Sequence, residues 1–583
     1  MKRFFAFMLC VILVITSAVI VVQADENAPF TISGALGNDM VLQRQTEVNI
    51  WGWSHKKGEK ITVSFKGNIV EATVDNNGEW LAKLPKMEAD TNENTLTVTM
   101  GDYSESLTGI LVGDVYIVNG QSNAAKQLKD CSSEYKKATV EAMVAEGKGL
   151  IRYFQQAKAD AISNDGVYMA TPQKDVIEGK KWEKEEYKTA RNFSAIGVFF
   201  AHKILKETGV PVGMINVSCG GSPVSELMSK EAGEKSGYKK GSSTVPASGI
   251  YNALMSPFIN TKIKGMIYYQ GESENGLALS DYGKYNEYVN IYVEDLREKM
   301  NQNFPFYYVQ LSSHTTSDWP GTGEQRAVQF DGLKVIKNSG MVVSMDQGFR
   351  KNDNDWAHPD YKKPVGERLA NLALTRLYNI GDENYVTSPM PEFAYKTDEG
   401  VVIRFKNVGD GLKKIGSHDT LEGFRLNKSN TKAKAEIISK NEVLIKTGGT
   451  VNQVSYGTEL LAFVDYPEGK GDLTYVANLG NSTELPCVAF KLTKIFGSLE
   501  EAVGTPEPTQ APATTPNVTE QTTENTPQAT TEIGGADDPN NVTVGGVPNY
   551  TGYFIAGGVA IFLVAGAVIA VIVIKKKKAN KEQ

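Results

Sequence analysis

Residues 115–123 read V-Y-I-V-N-G-Q-S-N, an apolar run that ends at Gly120 and is followed by one serine, Ser122. A strand that ended at Gly120 would leave Ser122 Oγ at the carboxyl edge of a sheet, where ligands of open α/β sheets bind. Serine is a weak nucleophile unless a base, a group that orients the base and donors for an oxyanion lie nearby. Ala124 stands where the G-x-S-x-G elbow has its second glycine, which disfavours an ordinary α/β-hydrolase. Taken alone, the stretch also fits a polar turn after a core strand.

Beyond Val115 the sequence alternates strand-like and helix-like patterns. The clearest helix begins after Ser194, a good N-cap, and ends before Gly209 and Pro211. The alternation predicts an α/β fold, a parallel sheet with helices on both faces. Asn123–Asn192 is long and polar, so we expect excursions over the site there rather than sheet. The strand candidates are Val115–Val118, Val212–Val217, Gly265–Tyr269, Phe306–Leu311 and Met341–Met345, and the other helix candidates are Tyr282–Lys299, Glu324–Val335 and Lys362–Tyr378.

Short β-like runs lie on both sides of this region and predict two flanking β modules that resemble small sandwiches. Asn76-Asn77-Gly78 reads as a hairpin turn between two of the N-terminal runs. The runs are Val48–Trp51, Ile61–Phe65, Ile69–Val74, Trp80–Leu84 and Thr95–Met100 on the N-terminal side, and Val401–Phe405, Glu436–Ile438 and Val443–Ile445 on the C-terminal side.

The two ends of the chain predict export and anchoring. Lys2 and Arg3 precede an apolar core that leads to a small-residue cleavage site at Val22-Gln23-Ala24, as in a secretory signal. Near the other end, Tyr553–Ile574 has 22 uncharged residues, enough to span a bilayer as a helix, and Lys575–Lys578 fit a cytoplasmic stop. The Thr- and Pro-rich stretch before it lacks apolar residues for a core. The predicted organisation is a signal peptide at 1–24, an N-terminal β module at 25–112, an α/β domain at 113–385, a C-terminal β module at 386–500, a disordered stalk at 501–550, a transmembrane helix at 551–574 and a Lys-rich cytoplasmic tail at 575–583.

Net charge and the cysteine and histidine counts argue against nucleic-acid binding, a disulfide framework and a metal site. A net charge of -7 argues against nucleic-acid binding. Without the signal peptide the chain has Cys131, Cys219 and Cys487, so at most one disulfide can form. The five histidines are scattered and no C-x-x-C or H-E-x-x-H occurs, so we expect no metal and no other cofactor. No pattern predicts an oligomeric state.

Three further stretches supply partners for Ser122, each near the end of a predicted strand. Gly220 and Gly221 in N-V-S-C-G-G-S allow close backbone approach and offer N–H donors, although such glycine turns are common. Y-Y-Q-G-E-S brings Gln270, whose amide suits an oxyanion, and Glu272, which would hold neighbouring groups. D-W-A-H-P places an acid three residues before His358, so that its carboxylate could orient the imidazole.

The chain resembles a known family in several blocks that occur in the expected order. They are G-Q-S-N at 120–123, C-G-G-S at 219–222, Y-Q-G-E-S at 269–273 and H-P-D-Y-K-K-P-V-G-E-R-L at 358–369, together with N-D-M-V-L-Q-R at 38–44, W-G-W at 51–53 and G-V-P-V-G-M-I-N at 209–216. These blocks are similar to the sialate O-acetylesterase branch of the SGNH/GDSL hydrolases. The resemblance extends from about residue 30 to residue 492 and covers both β modules.

The resemblance implies an SGNH-type, flavodoxin-like parallel sheet and a metal-independent serine esterase that removes acetyl groups from sugar hydroxyls. Ser122 would be the nucleophile and His358 the base, with the N–H groups of Ser122 and Gly221 and the Gln270 side chain as oxyanion donors. The family often shows D-x-H-P, whereas the wider superfamily uses D-x-x-H, so Asp355 is the preferred triad acid and Asp353 and Asp346 are rivals. The supporting residues are Gln121, Asn123, Gly220 and Glu272.

Three functions are compatible with these residues. The first is removal of acetyl groups from sialic acids by a membrane-tethered extracellular enzyme, with an O-acetylated glycan as its partner. The second is deacetylation of xylan or another polysaccharide by the same triad, because the catalytic blocks contact the ester and not the sugar. The third is a non-catalytic glycan-binding surface protein with a vestigial triad.

Overall fold

Strands and helices alternate in the middle of the chain, and strands make up most of both flanks. The computed structural model describes residues 28–131, 135–156, 168–238, 247–313, 321–347, 358–427, 433–459 and 476–504. The strands are β1 Phe30–Ile32, β2 Val41–Gln43, β3 Val48–Ser54, β4 Lys60–Phe65, β5 Asn68–Thr73, β6 Glu79–Leu84, β7 Asp90–Met100, β8 Tyr103–Gly120, β9 Ile151–Gln155, β10 Trp182–Lys184, β11 Val212–Asn216, β12 Gly265–Tyr269, β13 Phe306–Gln310, β14 Ser339–Val343, β15 Met390–Thr397, β16 Gly400–Lys406, β17 Lys413–Lys414, β18 Phe424–Leu426, β19 Lys434–Ser439, β20 Glu442–Lys446, β21 Val454–Tyr456, β22 Leu479–Gly480 and β23 Phe490–Leu492.

The helices lie mostly between the central strands. The α-helices are α1 Ser122–Ala125, α2 Lys137–Glu146, α3 Tyr187–Arg191, α4 Ala195–Thr208, α5 Val224–Leu227, α6 Lys230–Ser236, α7 Asn275–Ser280, α8 Lys284–Lys299, α9 Thr322–Val335, α10 Lys363–Tyr378, α11 Glu383–Val386 and α12 Leu499–Val503. Short 3-10 turns occur at Leu128–Asp130, Ser256–Phe258, Glu272–Glu274 and Met345–Gln347, and a π turn occurs at Tyr251–Met255.

The centre of the fold is a parallel sheet in the order β9-β11-β8-β12-β13-β14, to which β10 adds an antiparallel edge. Alternate side chains of β8 enter different apolar clusters, Val115 and Ile117 on one face and Tyr116 and Val118 on the other. Residues of α8 and α9 pack in the first cluster, and residues of α4 and α10 pack in the second. Helices therefore cover both faces, and the α/β class predicted from the sequence is confirmed.

The helix predicted after Ser194 is confirmed with both of its end signals. Ser194 Oγ accepts a hydrogen bond from the Gly197 N–H at 3.4 Å, which satisfies one of the first amides of α4. Gly209 follows the helix in the left-handed region, with φ of 67°, where a residue without Cβ is favoured. The predicted helices at 282–299, 324–335 and 362–378 correspond to α8, α9 and α10 within two residues at each end.

Strand β8 belongs to two parts of the protein. Its first half pairs antiparallel with β7, and its second half pairs in parallel with β11 and β12. The predicted boundary at 112/113 falls inside this strand, so backbone pairing continues from the N-terminal strands into the parallel sheet. The domain limits and the sandwich-like character of the flanking modules stay predictions.

Two predictions in the first half of the chain are wrong. The stretch Asn123–Asn192 contributes β9 and β10 to the sheet. Arg152, at the second position of β9, is buried there, and its guanidinium donates to Ile151 O at 3.2 Å and Glu93 at 3.1 Å, so this charged residue is accommodated within a buried strand. The turn Asn76-Asn77-Gly78 is not a hairpin, since β5 pairs with β4 while β6 pairs with β3. The Asp75 carboxylate satisfies this turn locally, and the turn chemistry therefore does not depend on the partner of each strand.

The C-terminal strands form three small antiparallel sheets, in the orders β15-β16-β20-β19, β17-β22 and β18-β21-β23. The strands predicted at 401–405, 436–438 and 443–445 are confirmed as parts of β16, β19 and β20. Arg326 of α9 is fully buried and donates to Gly457 O and Ser312 O, each at 3.1 Å. Burial lowers the pKa of this guanidinium to about 10. The C-terminal strands are thus joined to the α/β core by buried polar contacts as well as apolar packing.

The transmembrane prediction is corrected. None of the helices in the described ranges is long and apolar enough to cross a bilayer. Residues 551–574, for which the prediction was made, lie outside those ranges, as do the predicted signal peptide at 1–24 and cytoplasmic tail at 575–583 and nearly all of the predicted stalk.

Candidate active site

Ser122 lies where β8 ends, at the start of the short helix α1. Gly120 makes this turn with φ of 129°, and a Cβ there would lie 2.1 Å from Tyr269 O, so the position requires glycine. The Gln121 N–H donates to the same Tyr269 carbonyl at 3.0 Å, which fixes the turn to the neighbouring strand β12. Ser122 is 5% exposed, so its hydroxyl sits in a nearly closed recess at the carboxyl edge of the sheet.

His358, which is 236 residues away in sequence, contacts this serine. Its Nε2 lies 2.6 Å from Ser122 Oγ, a hydrogen-bond distance. With Nε2 unprotonated, the serine hydroxyl donates to the imidazole, which is the arrangement that a general base requires. The segment that carries His358 leads into α10, which begins at Lys363.

The predicted triad acids have different outcomes. Asp355 and Asp353 lie outside the described residues. Asp346 is described, and Arg368 engages both of its carboxylate oxygens at 2.7 and 2.6 Å. Such a bidentate pair is one of the stronger ionic contacts in proteins, so Asp346 is committed to Arg368.

Gly220 and Gly221 lie at the same edge, because the Cys219 N–H donates to Gly120 O at 3.0 Å. Gly221 has φ of 73°, and the direction of a Cβ on it is open space. Ser273 belongs to the loop Gln270–Ser273, called the Q-G-E-S loop. Its Oγ donates to Gly221 O at 3.0 Å and so fixes the glycine turn to this loop. The structure thus brings together the glycine turn, Gly220–Gly221, and the turn at Gly120–Asn123 that carries the predicted nucleophile Ser122 and is called the nucleophile turn.

Gln270 is buried, and its side chain is surrounded by partners. Its Oε1 accepts from the hydroxyls of Tyr268 at 3.1 Å and Tyr285 at 3.0 Å. Its Nε2 donates to the Glu274 carboxylate and, at 3.3 Å, to Ser222 O. Both amide hydrogens therefore have protein partners, and an oxyanion would have to displace one of them. In this arrangement Gln270 supports the glycine turn through Ser222.

The predicted supporting residues join the nucleophile turn to the Q-G-E-S loop. Gln121 Oε1 accepts from the N–H groups of Gly271 and Ser273, each at 3.3 Å. Asn123 Nδ2 donates to Glu272 Oε1 at 2.5 Å. Burial raises the pKa of Glu272, and its Oε2 is a buried oxygen with no hydrogen-bond partner in the described part of the chain.

Two lysines enter the site that the sequence analysis did not single out. Lys126 Nζ contacts the backbone carbonyl of His358, and Lys362 Nζ contacts the Asn123 side chain. Both are almost completely buried. Burial lowers the pKa of Lys362 to about 8. Lys362 stands in the quoted block H-P-D-Y-K-K-P, but nothing in the local pattern indicates that this ammonium turns inward.

The described residues hold no group of three or more His, Cys, Asp or Glu side chains arranged for a metal ion. Cys131, Cys219 and Cys487 are free thiols, and burial raises the pKa of Cys131 and of Cys219 to about 12. Protonated, buried thiols are poor nucleophiles, so these cysteines do not compete with Ser122.

Comparison with known proteins shows which family the chain is similar to. Residues 112–375 match the family described as carbohydrate esterase, sialic acid-specific acetylesterase. Sialate O-acetylesterases of Homo sapiens and Pongo abelii are each 25% identical to the chain over 412 residues, which cover 64% of this chain and 76% of theirs. A carbohydrate acetylesterase from Xanthomonas citri has a crystal structure that superimposes with a TM-score of 0.66 at 26% identity, covering 79% of this chain and 99% of that one. Residues 112–375 therefore resemble the sialic acid-specific acetylesterase family of carbohydrate esterases, and the chain is a carboxylic ester hydrolase.

Proposed function

We propose that this chain is an extracellular sialate O-acetylesterase that removes acetyl groups from sialic acids through an acetyl-serine at Ser122. The observation that carries the proposal is the 2.6 Å contact between Ser122 Oγ and His358 Nε2 at the carboxyl edge of the parallel sheet. The family match supplies the substrate class. The two relatives matched over 412 residues are both sialate O-acetylesterases, which favours sialic acid over other acetylated sugars as the substrate.

The proposed reaction has two steps. Ser122 Oγ attacks the acetyl carbonyl carbon while His358 Nε2 accepts the hydroxyl proton; the bond from that carbon to the sugar oxygen then breaks, and the imidazolium returns the proton to the sugar. In the second step a water molecule gives a proton to His358 and its oxygen attacks the acetyl-serine. Acetate leaves, and Ser122 regains its proton from the imidazolium.

Stabilisation of the oxyanion is assigned to the N–H groups of Ser122 and Gly221. The Ser122 N–H is the first of a helix, where intrahelical partners are absent, and the Gly221 turn borders open space. Gln270 stays a predicted third donor, and it would have to exchange a contact with Glu274 or Ser222. Asp355 stays the preferred acid for His358, since its rival Asp346 is held by Arg368.

The fold and location are part of the proposal. An SGNH-type arrangement of the parallel sheet, flanked by two sandwich-like modules, agrees with the helices on both faces of that sheet. Export with cleavage after residue 24 would bring the site to acetylated glycans outside the cell. Amino-terminal sequencing of the mature protein should give Asp25 as its first residue; an intact Met1 would contradict export by this route.

Acetate release from a panel of substrates tests the function. We expect the purified chain to release acetate from 9-O-acetylated sialoglycans faster than from acetylated xylan, and Ser122→Ala to be inactive on both while keeping its fold. Faster release of acetate from xylan would show that a plant polysaccharide, and not sialic acid, is the preferred substrate. Retention of the glycan on an affinity column with no acetate released would favour a binding protein. Equal hydrolysis of p-nitrophenyl acetate by the parent and Ser122→Ala would show that Ser122 is not the nucleophile.

A further inference from the structure

Lys126 connects the nucleophile turn to the segment that carries the histidine. It follows α1 directly, one helical turn after Ser122, and is 5% exposed. Its Nζ donates to the backbone carbonyl of His358 at 3.1 Å and pairs with Asp360 Oδ1 at 2.8 Å. One ammonium thus contacts the residues on both sides of Pro359, the backbone of His358 and the side chain of Asp360.

Lys362 makes a connection in the opposite direction. It lies on the histidine segment immediately before α10 and is 1% exposed. Its Nζ donates to Asn123 Oδ1 at 2.5 Å and lies 5.3 Å from the centre of the Tyr269 ring. Asn123 in turn donates to Glu272, so the contact continues from the histidine segment through the nucleophile's neighbour to the Q-G-E-S loop.

The two connections enclose the Ser122–His358 pair. Each of two short segments, 122–126 and 358–362, places a lysine on the other, and the serine and histidine lie at the opposite ends of these segments. A buried ammonium is unfavourable unless it is hydrogen-bonded and its charge is balanced. Here the Asp360 carboxylate balances the charge of Lys126. Lys362 contacts Asn123, which in turn donates to the Glu272 carboxylate. These contacts fix where each ammonium can sit, and with it the separation of the two segments.

We propose that Lys126 and Lys362 are positioning residues that hold His358 Nε2 within hydrogen-bond distance of Ser122 Oγ. The proposal rests on the proposed function, because it assigns a role in the same reaction. Both ammonium groups are engaged by protein partners, Lys126 by the His358 carbonyl and Asp360 and Lys362 by Asn123, so both act through the geometry of the serine and histidine. A displacement of about 1 Å between reacting groups can lower the rate about 100-fold.

Methionine substitutions test this with controls of the same chemistry. Lys126→Met and Lys362→Met keep an unbranched side chain one atom shorter and remove the ammonium, while Lys129→Met and Lys363→Met make the same change at neighbouring lysines whose side chains are exposed. We expect kcat for p-nitrophenyl acetate to fall roughly 10- to 100-fold in the first pair, with KM within about twofold, and both constants to be unchanged in the controls. Lys126→Arg, which keeps a cation in reach of the carbonyl and of Asp360, should recover part of kcat.

Several results would overturn the proposal. A kcat within twofold of the parent in Lys126→Met and Lys362→Met would do so, as would an equal loss in the two control variants. If Lys126→Met does not fold, Asp360→Asn decides: it removes the charge that anchors Lys126, so kcat should fall about fivefold, and an unchanged kcat contradicts the proposal.

The same variants separate this proposal from the proposed function. If the parent chain releases no acetate from any substrate, the function is wrong, and a crystal structure of Lys126→Met then decides the geometry. A separation of Ser122 Oγ and His358 Nε2 beyond about 3.5 Å supports positioning by the lysine. A separation that stays within hydrogen-bond distance contradicts it.

Discussion

Replacing Gly221 with alanine is expected to lower the rate of ester hydrolysis through the backbone alone. Gly221 has φ of 73°, a conformation that disfavours an L side chain, and the added methyl group would point into open space. The substitution therefore introduces backbone strain without a clash. Because the Gly221 N–H is a proposed oxyanion donor, a turn that relaxes to negative φ would take this donor away from the reacting carbonyl.

The expected fall in kcat follows from two opposing free-energy contributions, the strain of the alanine and the hydrogen bonds that hold the turn. The left-handed conformation costs an alanine about 1–2 kcal/mol. The turn is held by the Ser273 Oγ contact to Gly221 O and the Gln270 contact to Ser222 O, each worth about 1 kcal/mol. These terms nearly cancel, so the native turn should stay partly populated and kcat should fall roughly 3- to 10-fold. Adding Ser273→Ala removes about 1 kcal/mol of support and should lower kcat about fivefold further.

Gly237→Ala is the matched control for the assay. Gly237 has φ of 66° at the end of α6, and its Cβ direction is also open space. Both single variants should lose about 1–2 kcal/mol of unfolding free energy in urea, but only Gly221→Ala should lose kcat for acetate release. Ser273→Ala alone should stay within about twofold of the parent, because glycine needs no support in this turn. The reasoning is refuted if Gly221→Ala and the double variant keep the parent kcat, or if Gly237→Ala loses as much.

Two further predictions concern buried polar side chains of the site. Gln270→Ala should reduce kcat about 10²–10³-fold if its amide donates directly to the oxyanion, and about as little as Gly221→Ala if it only supports the turn; single-turnover rates distinguish the two roles. Lys362 has a pKa lowered by burial from 10.5 to about 8, with Lys126 adding to the effect and Cys131, Glu272 and Asp360 opposing it. Between pH 8 and 10.5 the unfolded chain binds more protons at this lysine than the folded chain does, so stability rises with pH in that window. Relative to Lys362→Met, the parent should gain about 3 kcal/mol of unfolding free energy across it, measured by urea unfolding at each pH, and a constant difference would contradict the lowered pKa.

The sequence predicts the parallel sheet well because its strands are continuous apolar runs. Gly265–Tyr269 is predicted and observed with the same bounds, and the runs near 306 and 341 differ by at most two residues at either end. Strands of this kind are buried on both faces, so nearly every position must be apolar and the signal is local. The edge of the sheet then follows from the direction of the strands, which is why Ser122 and the Gly220–Gly221 turn are found together.

Strand β9 was missed because its signal is not local. Its run I-R-Y-F-Q contains Arg152, and an isolated arginine in an apolar run argues against burial. In the fold, that guanidinium finds Glu93, which is 59 residues earlier in the chain, and backbone carbonyls beside it. Lys126 is similar, since its partner carbonyl is 232 residues away. A buried charge can be recognised only when its partner is known, and the partner belongs to the tertiary structure.

The site concentrates groups that weaken the folded state. Lys362 is buried with a lowered pKa, and Glu272 is a buried carboxylate with a raised pKa and one oxygen without a partner among the described residues. Apolar residues of the same volume are often neutral or stabilising in such places, whereas removal of one charged partner alone is strongly destabilising. Stability therefore gives no reason for these side chains to be here, and position relative to Ser122 does, because each contacts a residue of the nucleophile turn or its direct neighbour. Lys362→Met combined with Glu272→Gln should consequently fold at least as stably as either single variant while its kcat stays low, and recovery of the parent kcat in this double variant would show that the charges matter only to each other.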